Sequence, residues 1–380
     1  MKKLRVGIIY GGRSGEHEVS IASAAAVVQN LDKQRYEAIP IRIEKDGRWI
    51  IADRLPVSSS AAEVIEQSRS TTAQRLGRGG REAHLVAHPG DEQIMTIERG
   101  HNPTITGLAV DVVFPVLHGP YGEDGTVQGL LELANIPYVG APVLASAVGM
   151  DKATAKLVFA ARGLPQTKYL VVLRSEWKAS PARIAKDVAS TLGYPVFVKP
   201  ANLGSSVGIS KAKSNTDLPA AIDLAAEFDR KVVIEAAVPN AREIEIAVLG
   251  NDDPQVSVPG EVIPSREFYD YEAKYLDDES RTIIPAELPA KTTAEVKRLA
   301  IEVFRAVDCA GMARVDFLMD GATGKLYVNE INTIPGFTTI SMYSKMWAAS
   351  GVPYPELLDR LIALARERHT EKQLIRTSLP

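Results

Sequence analysis

Apolar residues in the first third of the chain come in short runs. LRVGIIY at 4–10, YEAIPIRI at 36–43 and VDVVFPVL at 110–117 each read as a buried strand, and DGRWII at 46–51 as a further one. Runs this short, bounded by Gly, Asp and Pro, fit strands rather than helices. GGRSGEHE is a turn, VSIASAAAVVQNL predicts a helix after it, and GTVQGLLELANI at 125–136 predicts another. Strands alternating with helices imply a parallel sheet. Residues 53–102 break the rhythm. They are rich in Ser, Thr, Arg and Gly with weak periodicity, and are expected to form a peripheral insertion, part of it mobile.

A boundary falls near 140–150, ahead of the helix expected at MDKATAKLVFAARG. The next unit holds the helix PARIAKDVASTL, two strands around a glycine-rich loop in PVFVKPANLGSSVGISKA, and the strand KVVIEAAV. The last unit opens with the strand REIEIAVLG and closes with the helix PELLDRLIALARERH. The expected fold class is α/β, turning to α+β in the C-terminal part. The expected domains are 1–145, 146–239 and 240–370, with a tail at 371–380. A chain of 380 residues is long for one core, so two or three domains agree with its size.

Composition narrows the class. Hydrophobic residues make up 45% and charged residues 24%, as in soluble globular proteins. With a formal net charge of −3 and no long basic run, nucleic acid is excluded as the main partner. Cys309 is the one cysteine, which rules out an intrachain disulfide and a cysteine-built zinc site. No apolar stretch approaches the roughly 20 residues of a membrane span. The apolar run at 6–10 is too short for a signal peptide. A cytoplasmic protein is expected.

The chemistry concentrates in MARVDFLM and KLYVNEIN, two apolar-rich strands joined by the turn DGATG. Folding that hairpin about Ala322 and Thr323 sets Asp316 opposite 328–330, and Glu330 and Asn332 share one face. Two carboxylates and an amide in one patch suit Mg²⁺, which keeps waters and takes phosphate oxygens as further ligands. An isolated D…ExN pattern is more often the polar face of a surface hairpin; here its company decides. Arg314 shares the face of Asp316 and can stabilise developing negative charge. NTIPGFT follows, and Gly336 can present a backbone N–H to an oxyanion.

No Walker A motif occurs. Lys199 closes the strand PVFVKP, and the small-residue loop LGSSVGIS after it can fold over phosphates. Lys152 is a second phosphate candidate, although single lysines are commonly solvated surface residues. The end of VVIEAAV, from Glu235 to Val238, can meet an adenine edge. The first turn, GGRSGEHEVS, carries Arg13 where a dinucleotide fingerprint needs glycine. Glu16 at the following helix start suits a ligand ammonium, or simply the helix dipole. EFYDYEAKYLDDES is polar and aromatic, and reads as a closing loop or as ordinary surface.

Together these stretches resemble the ATP-grasp superfamily and, within it, the D-alanine–D-alanine ligase family. The likeness runs in family order through GGRSGEHEVS, LHGPYGEDGTVQGLLE, MDKATAK, FVKPANLGSSVGIS, FYDYEAKY, ARVDF, NEINTIPGFT and SMYSKM. It implies a Rossmann-like N-terminal domain binding the first D-alanine, then a two-part ATP-grasp fold. By resemblance, Lys152, Lys199, Ser206, Glu235, Val238, Glu243 and Lys274 surround ATP. Asp316, Glu330 and Asn332 hold two Mg²⁺ ions, with Mn²⁺ as a substitute. Glu16 takes the first ammonium, linked through Ser205 and Tyr275, with His118 and Tyr271 near the substrate. Arg314 and Gly336 face the oxyanion, and Ser341 and Met342 take the second carboxylate. A homodimer is expected on the same ground. Met342 and Ala236 depart from the commoner leucine and lysine or glutamine. The rival readings are a D-lactate ligase, which Tyr275 opposes, another ATP-grasp carboxylate–amine ligase, and an ATP-binding module without catalysis, which the complete metal set opposes.

Overall fold

The computed structural model describes residues 2–56, 64, 81–90, 93–98, 104–263, 281–338 and 340–376, which form three sheets. The first runs Thr104–Leu108, Ile94–Glu98, Arg81–Leu85, Trp49–Ile51, Tyr36–Ile43, Leu4–Gly11, Val112–Pro115. Only the last three of these are parallel to one another. The other four continue the sheet antiparallel. The parallel sheet expected from the sequence is thus a three-stranded core within a mixed sheet. The stretch expected to be peripheral supplies two of its strands, Arg81–Leu85 and Ile94–Glu98. They were hard to read because each is five residues long and buries only Ala83 in one and Ile94 and Thr96 in the other, too few for a visible period.

The second sheet, Ser210–Ala212, Val196–Pro200, Lys231–Ala236, Tyr169–Leu173, is antiparallel throughout. The third orders Arg281–Ile283, Gly260–Ile263, Ala241–Gly250, Gly311–Asp320 and Leu326–Asn332, with Gln255–Val256 beside the middle strand.

Alternation along the third sheet decides where chemistry can sit. Ile244, Ile246, Val248, Ala313, Val315, Phe317 and Met319 face one side and pack with Val296, Leu299, Val303 and Phe304 of the helix Ala290–Ala306. The opposite side is divided. Ala247, Leu249 and Met312 join a core shared with the first sheet and the helix Tyr354–Lys372. Glu245, Arg314 and Asp316 lie beyond them on that same side, where the apolar cover ends.

Candidate functional site

A cleft of about 320 Å³ opens over that charged end of the sheet. It is lined by ten of the residues expected from the sequence: Glu16, His118, Lys152, Ser205, Arg314, Glu330, Asn332, Gly336, Ser341 and Met342. Asp316 stands directly behind Arg314. Tyr271, Lys274 and Tyr275 lie outside the described residues.

The hairpin pairs Asp316 with Glu330 and Arg314 with Asn332. A bulge follows Asp316, because Phe317 pairs with Val328 and leaves Asn329 unmatched. Arg314 donates from Nε and a terminal nitrogen to the two Asp316 oxygens, each at 2.7 Å, and Nε stands 3.1 Å from Glu245. Burial opposes its charge, but Asp316 and Glu245 outweigh burial and hold the guanidinium pKa well above its ordinary range. The donor set fits a hard cation: Asp316, Glu330 and Asn332 offer only oxygen side-chain ligands on two adjoining strands. Among the described residues no cluster of three or more His, Cys, Asp or Glu side chains forms a ready metal cage.

Glu16 caps the helix His17–Asn30 but makes no side-chain cap bond. Its carboxylate instead accepts from Ser205 Oγ, on the glycine-rich loop 189 positions away. Gly119 and Gly204 press against it: a Cβ at either would come within 2.9 and 3.0 Å of Oε2. Ser205 and Ser206 hold φ of 49° and 59°, left-handed conformations that non-glycine residues adopt only under constraint.

The turn after the hairpin is fixed from both sides. Phe337 is fully buried and meets the rings of Phe114, Tyr343 and Tyr354 at 5.7, 5.4 and 6.1 Å. A Cβ on Gly336 would lie 2.9 Å from Ser341 Oγ, so only glycine allows that approach. Ser341 precedes the helix Met342–Ala349 and accepts from the Thr338 N–H at 3.0 Å. The Phe337 N–H donates to Ser23 Oγ at 3.3 Å, Ser23 Oγ is 3.1 Å from His118 Nε2, and His118 Nδ1 is 3.2 Å from the Ile334 carbonyl. Burial pushes His118 below its ordinary pKa, so the ring is neutral at pH 7 and Nδ1–H is the donor to Ile334.

The lysines are not solvated, contrary to the common pattern. Lys152 Nζ donates to the Leu203 carbonyl at 2.7 Å and lies 3.7 Å from Glu330, with 10% of its side chain exposed. Lys199 Nζ is 3.3 Å from Glu235 and donates to Asn329, the bulged residue, at 3.2 Å. Glu235 is buried, and Thr167 donates to its other oxygen. Burial pushes its carboxyl up, but Lys199 and Lys156 outweigh this and hold it at about 2. Ser206 adjoins Ser205, half-buried Val238 follows the strand of Glu235, and Glu243 shares the face of Glu245; none of the three lines the cleft.

Glu245, Lys156 and Glu123, buried charged residues in or beside the cleft, escaped the sequence reading. Glu245 stands two residues after Glu243 in an alternating strand, a signal that was available. Lys156 is one helical turn beyond Lys152, on the same face of the helix Lys152–Ala161. Glu123 gave no signal: a turn brings it into the cleft, where it accepts from the Gly119 N–H at 2.6 Å. Burial and Glu16 push its carboxyl well above the usual range.

The family models described as D-ala D-ala ligase N-terminus and C-terminus match residues 5–141 and 158–363. The chain is 49% identical over 374 residues to a D-alanine--D-alanine ligase of Heliobacterium modesticaldum, covering 98% of this chain and 97% of that protein. It is 50% identical over 378 residues to one from Caldicellulosiruptor bescii, covering 100% and 99%. Among solved structures, the D-alanine-D-alanine ligase from Coxiella burnetii superposes with a TM-score of 0.81 at 36% identity, covering 98% and 97%. The VanG D-Ala:D-Ser ligase from Enterococcus faecalis gives 0.81 at 34%, covering 96% and 100%.

Proposed function

The chain belongs to the D-alanine–D-alanine ligase family, and from that membership we propose how its own residues carry the reaction. The enzyme joins two D-alanines to D-alanyl-D-alanine at the expense of ATP, releasing ADP and phosphate, in peptidoglycan precursor synthesis. One observation carries the residue assignment. A single cleft has an anion suited to an ammonium, Glu16 held by Ser205, and a cation suited to an oxyanion, Arg314 beside Gly336.

The first D-alanine docks its ammonium on Glu16. Its carboxylate attacks the γ-phosphorus of ATP, the bridging P–O bond breaks, and an acyl phosphate forms. Lys152 and Lys199 face the phosphates as fixed positive charge. The helix start at Ser341 and Met342 receives the second carboxylate. The second amine then attacks the acyl carbon. The oxygen that gains charge meets Arg314 and the Gly336 N–H, and phosphate departs. Asp316, Glu330 and Asn332 would hold two Mg²⁺ ions, or Mn²⁺, which neutralise charge on the phosphoryl group when bound. Glu235, Val238 and Glu243 serve the nucleoside end, and Ser206 the phosphates. His118, neutral, lies beside the first alanine. Tyr271, Lys274 and Tyr275, outside the described residues, are assigned here on the family likeness to a loop that would close over the site and exclude water. It also supports a homodimer, and the soluble substrates ATP and D-alanine support a cytoplasmic place of work. No described helix is long and apolar enough to cross a membrane.

The test is ATP-dependent phosphate release with D-alanine, L-alanine, D-serine and D-lactate in parallel, with products identified. D-alanine alone should saturate the enzyme and give dipeptide. More D-alanyl-D-lactate or D-alanyl-D-serine than dipeptide at neutral pH would move the chain to the corresponding variant.

A further inference from the structure

Lys156 has no part in the mechanism so far, yet it is the most deeply buried charge among the described residues, with 1% of the residue exposed. Its Nζ lies 3.2 Å from Glu235 Oε2 and 5.3 Å from the centre of the Tyr169 ring. A second cation, Lys199, lies 3.3 Å from Glu235 Oε1. Lys156 Nζ and Glu235 Oε1 are both buried and meet their partners as ion pairs rather than in well-aligned hydrogen bonds. A buried ion pair is a poor source of stability, because desolvation offsets most of the attraction. Two cations around one carboxylate exceed what neutralisation requires. Their effect is to keep Glu235 ionised and fixed, with Thr167 Oγ1 donating to Oε2 and Lys199 beside Oε1.

We propose that Lys156 is a positioning residue that makes the nucleotide site select a purine bearing a 6-amino group. The proposal rests on the reading that Glu235 meets the adenine edge. An ionised carboxylate only accepts hydrogen bonds. It pairs with the N–H of a 6-amino group and repels the 6-oxo oxygen of hypoxanthine or guanine. Without Lys156, Glu235 is buried beside one cation instead of two. Its protonated form gains ground, and a carboxylic O–H can donate to a 6-oxo group. The orientation set by Lys156 is lost as well.

The experiment compares ATP with ITP as co-substrate for the full-length enzyme with Mg²⁺ and D-alanine, using wild type, K156M, K156R and E235Q, with thermal melts to check folding. K156M should narrow the ATP-over-ITP ratio of kcat/KM at least about tenfold, the effect of one mismatched buried acceptor. The KM for D-alanine should stay near wild type, and K156R should keep most of the preference. A merely structural lysine would lower stability without moving the nucleotide ratio. If K156M fails to fold, K156Q carries the same comparison. A folded Lys156 variant without charge that keeps the wild-type ratio, while E235Q narrows it, overturns the role of Lys156. If E235Q also keeps the ratio, the adenine reading fails, and the proposal with it.

Discussion

Arg314 clasps Asp316 through two parallel bonds of 2.7 Å and lies 3.1 Å from Glu245, so one guanidinium serves two carboxylates at the floor of the cleft. Charge and planar shape can be separated by substitution. R314K keeps the charge and loses the fork; kcat should fall about 100- to 1000-fold, as for removal of an oxyanion donor. R314A leaves Asp316 and Glu245 buried without their cation, and should also lose about 3–5 kcal/mol of stability. Steady-state kinetics with urea titrations checks both. R314K at near wild-type kcat would remove Arg314 from the chemistry.

Ser205 bonds to Glu16 from a left-handed backbone conformation held by the loop. S205A removes a hydrogen bond to a charged group, and the KM for the first D-alanine should rise about tenfold. The KM for ATP should be unchanged. Kinetics that resolve the two alanine sites decide the matter. A rise confined to ATP would mean that the loop serves the nucleotide alone.

Gly336 approaches Ser341 closely enough that a methyl group would sit 2.9 Å from its Oγ. The aromatic packing around Phe337 prevents the turn from retreating. G336A should therefore displace Ser341, lower kcat at least about tenfold and raise the KM for the second D-alanine, at a stability loss of about 1–3 kcal/mol. Unchanged kinetics in a folded G336A protein would show that the turn has slack.

Glu235 titrates at about 2 when folded, against 4.5 for an ordinary glutamate. A depressed folded pKa stabilises above the unfolded value, and this part is lost as pH falls toward about 2. The shift corresponds to about 3 kcal/mol. E235Q does not titrate. The unfolding free-energy gap between wild type and E235Q should be widest above about pH 5 and shrink steadily below it. Denaturant curves at several pH values measure this, and a constant gap would contradict the assignment.

The hairpin, its facing acids and the glycine-rich loop were legible because each is a local pattern: an alternation, a two-residue spacing, a cluster of small residues. The link from Glu16 to Ser205 was available only through family likeness, since nothing local joins residues 189 positions apart. Lys156 and Glu123 stayed hidden because burial of a charge depends on what packs over it, and charge in a sequence reads first as surface. The antiparallel flank of the first sheet was missed because its strands bury too few side chains to show a period.

The extra residue in the last hairpin carries a further consequence. Leu326 and Val328 point into the apolar layer, and so does Ile331, three positions on; between them Asn329 and Glu330 both face the opposite side. With strict alternation, Glu330 and Asn332 would be driven beneath the helix Ala290–Ala306, and Ile331 would be turned outward. The site therefore depends on the bulge as well as on chemistry. Removing Asn329 would make Phe317–Val328 and Asp316–Glu330 successive pairs and leave Glu330, Ile331 and Asn332 on their present faces. Its deletion should be tolerated by the fold and cost chiefly the acceptor that Asn329 offers Lys199.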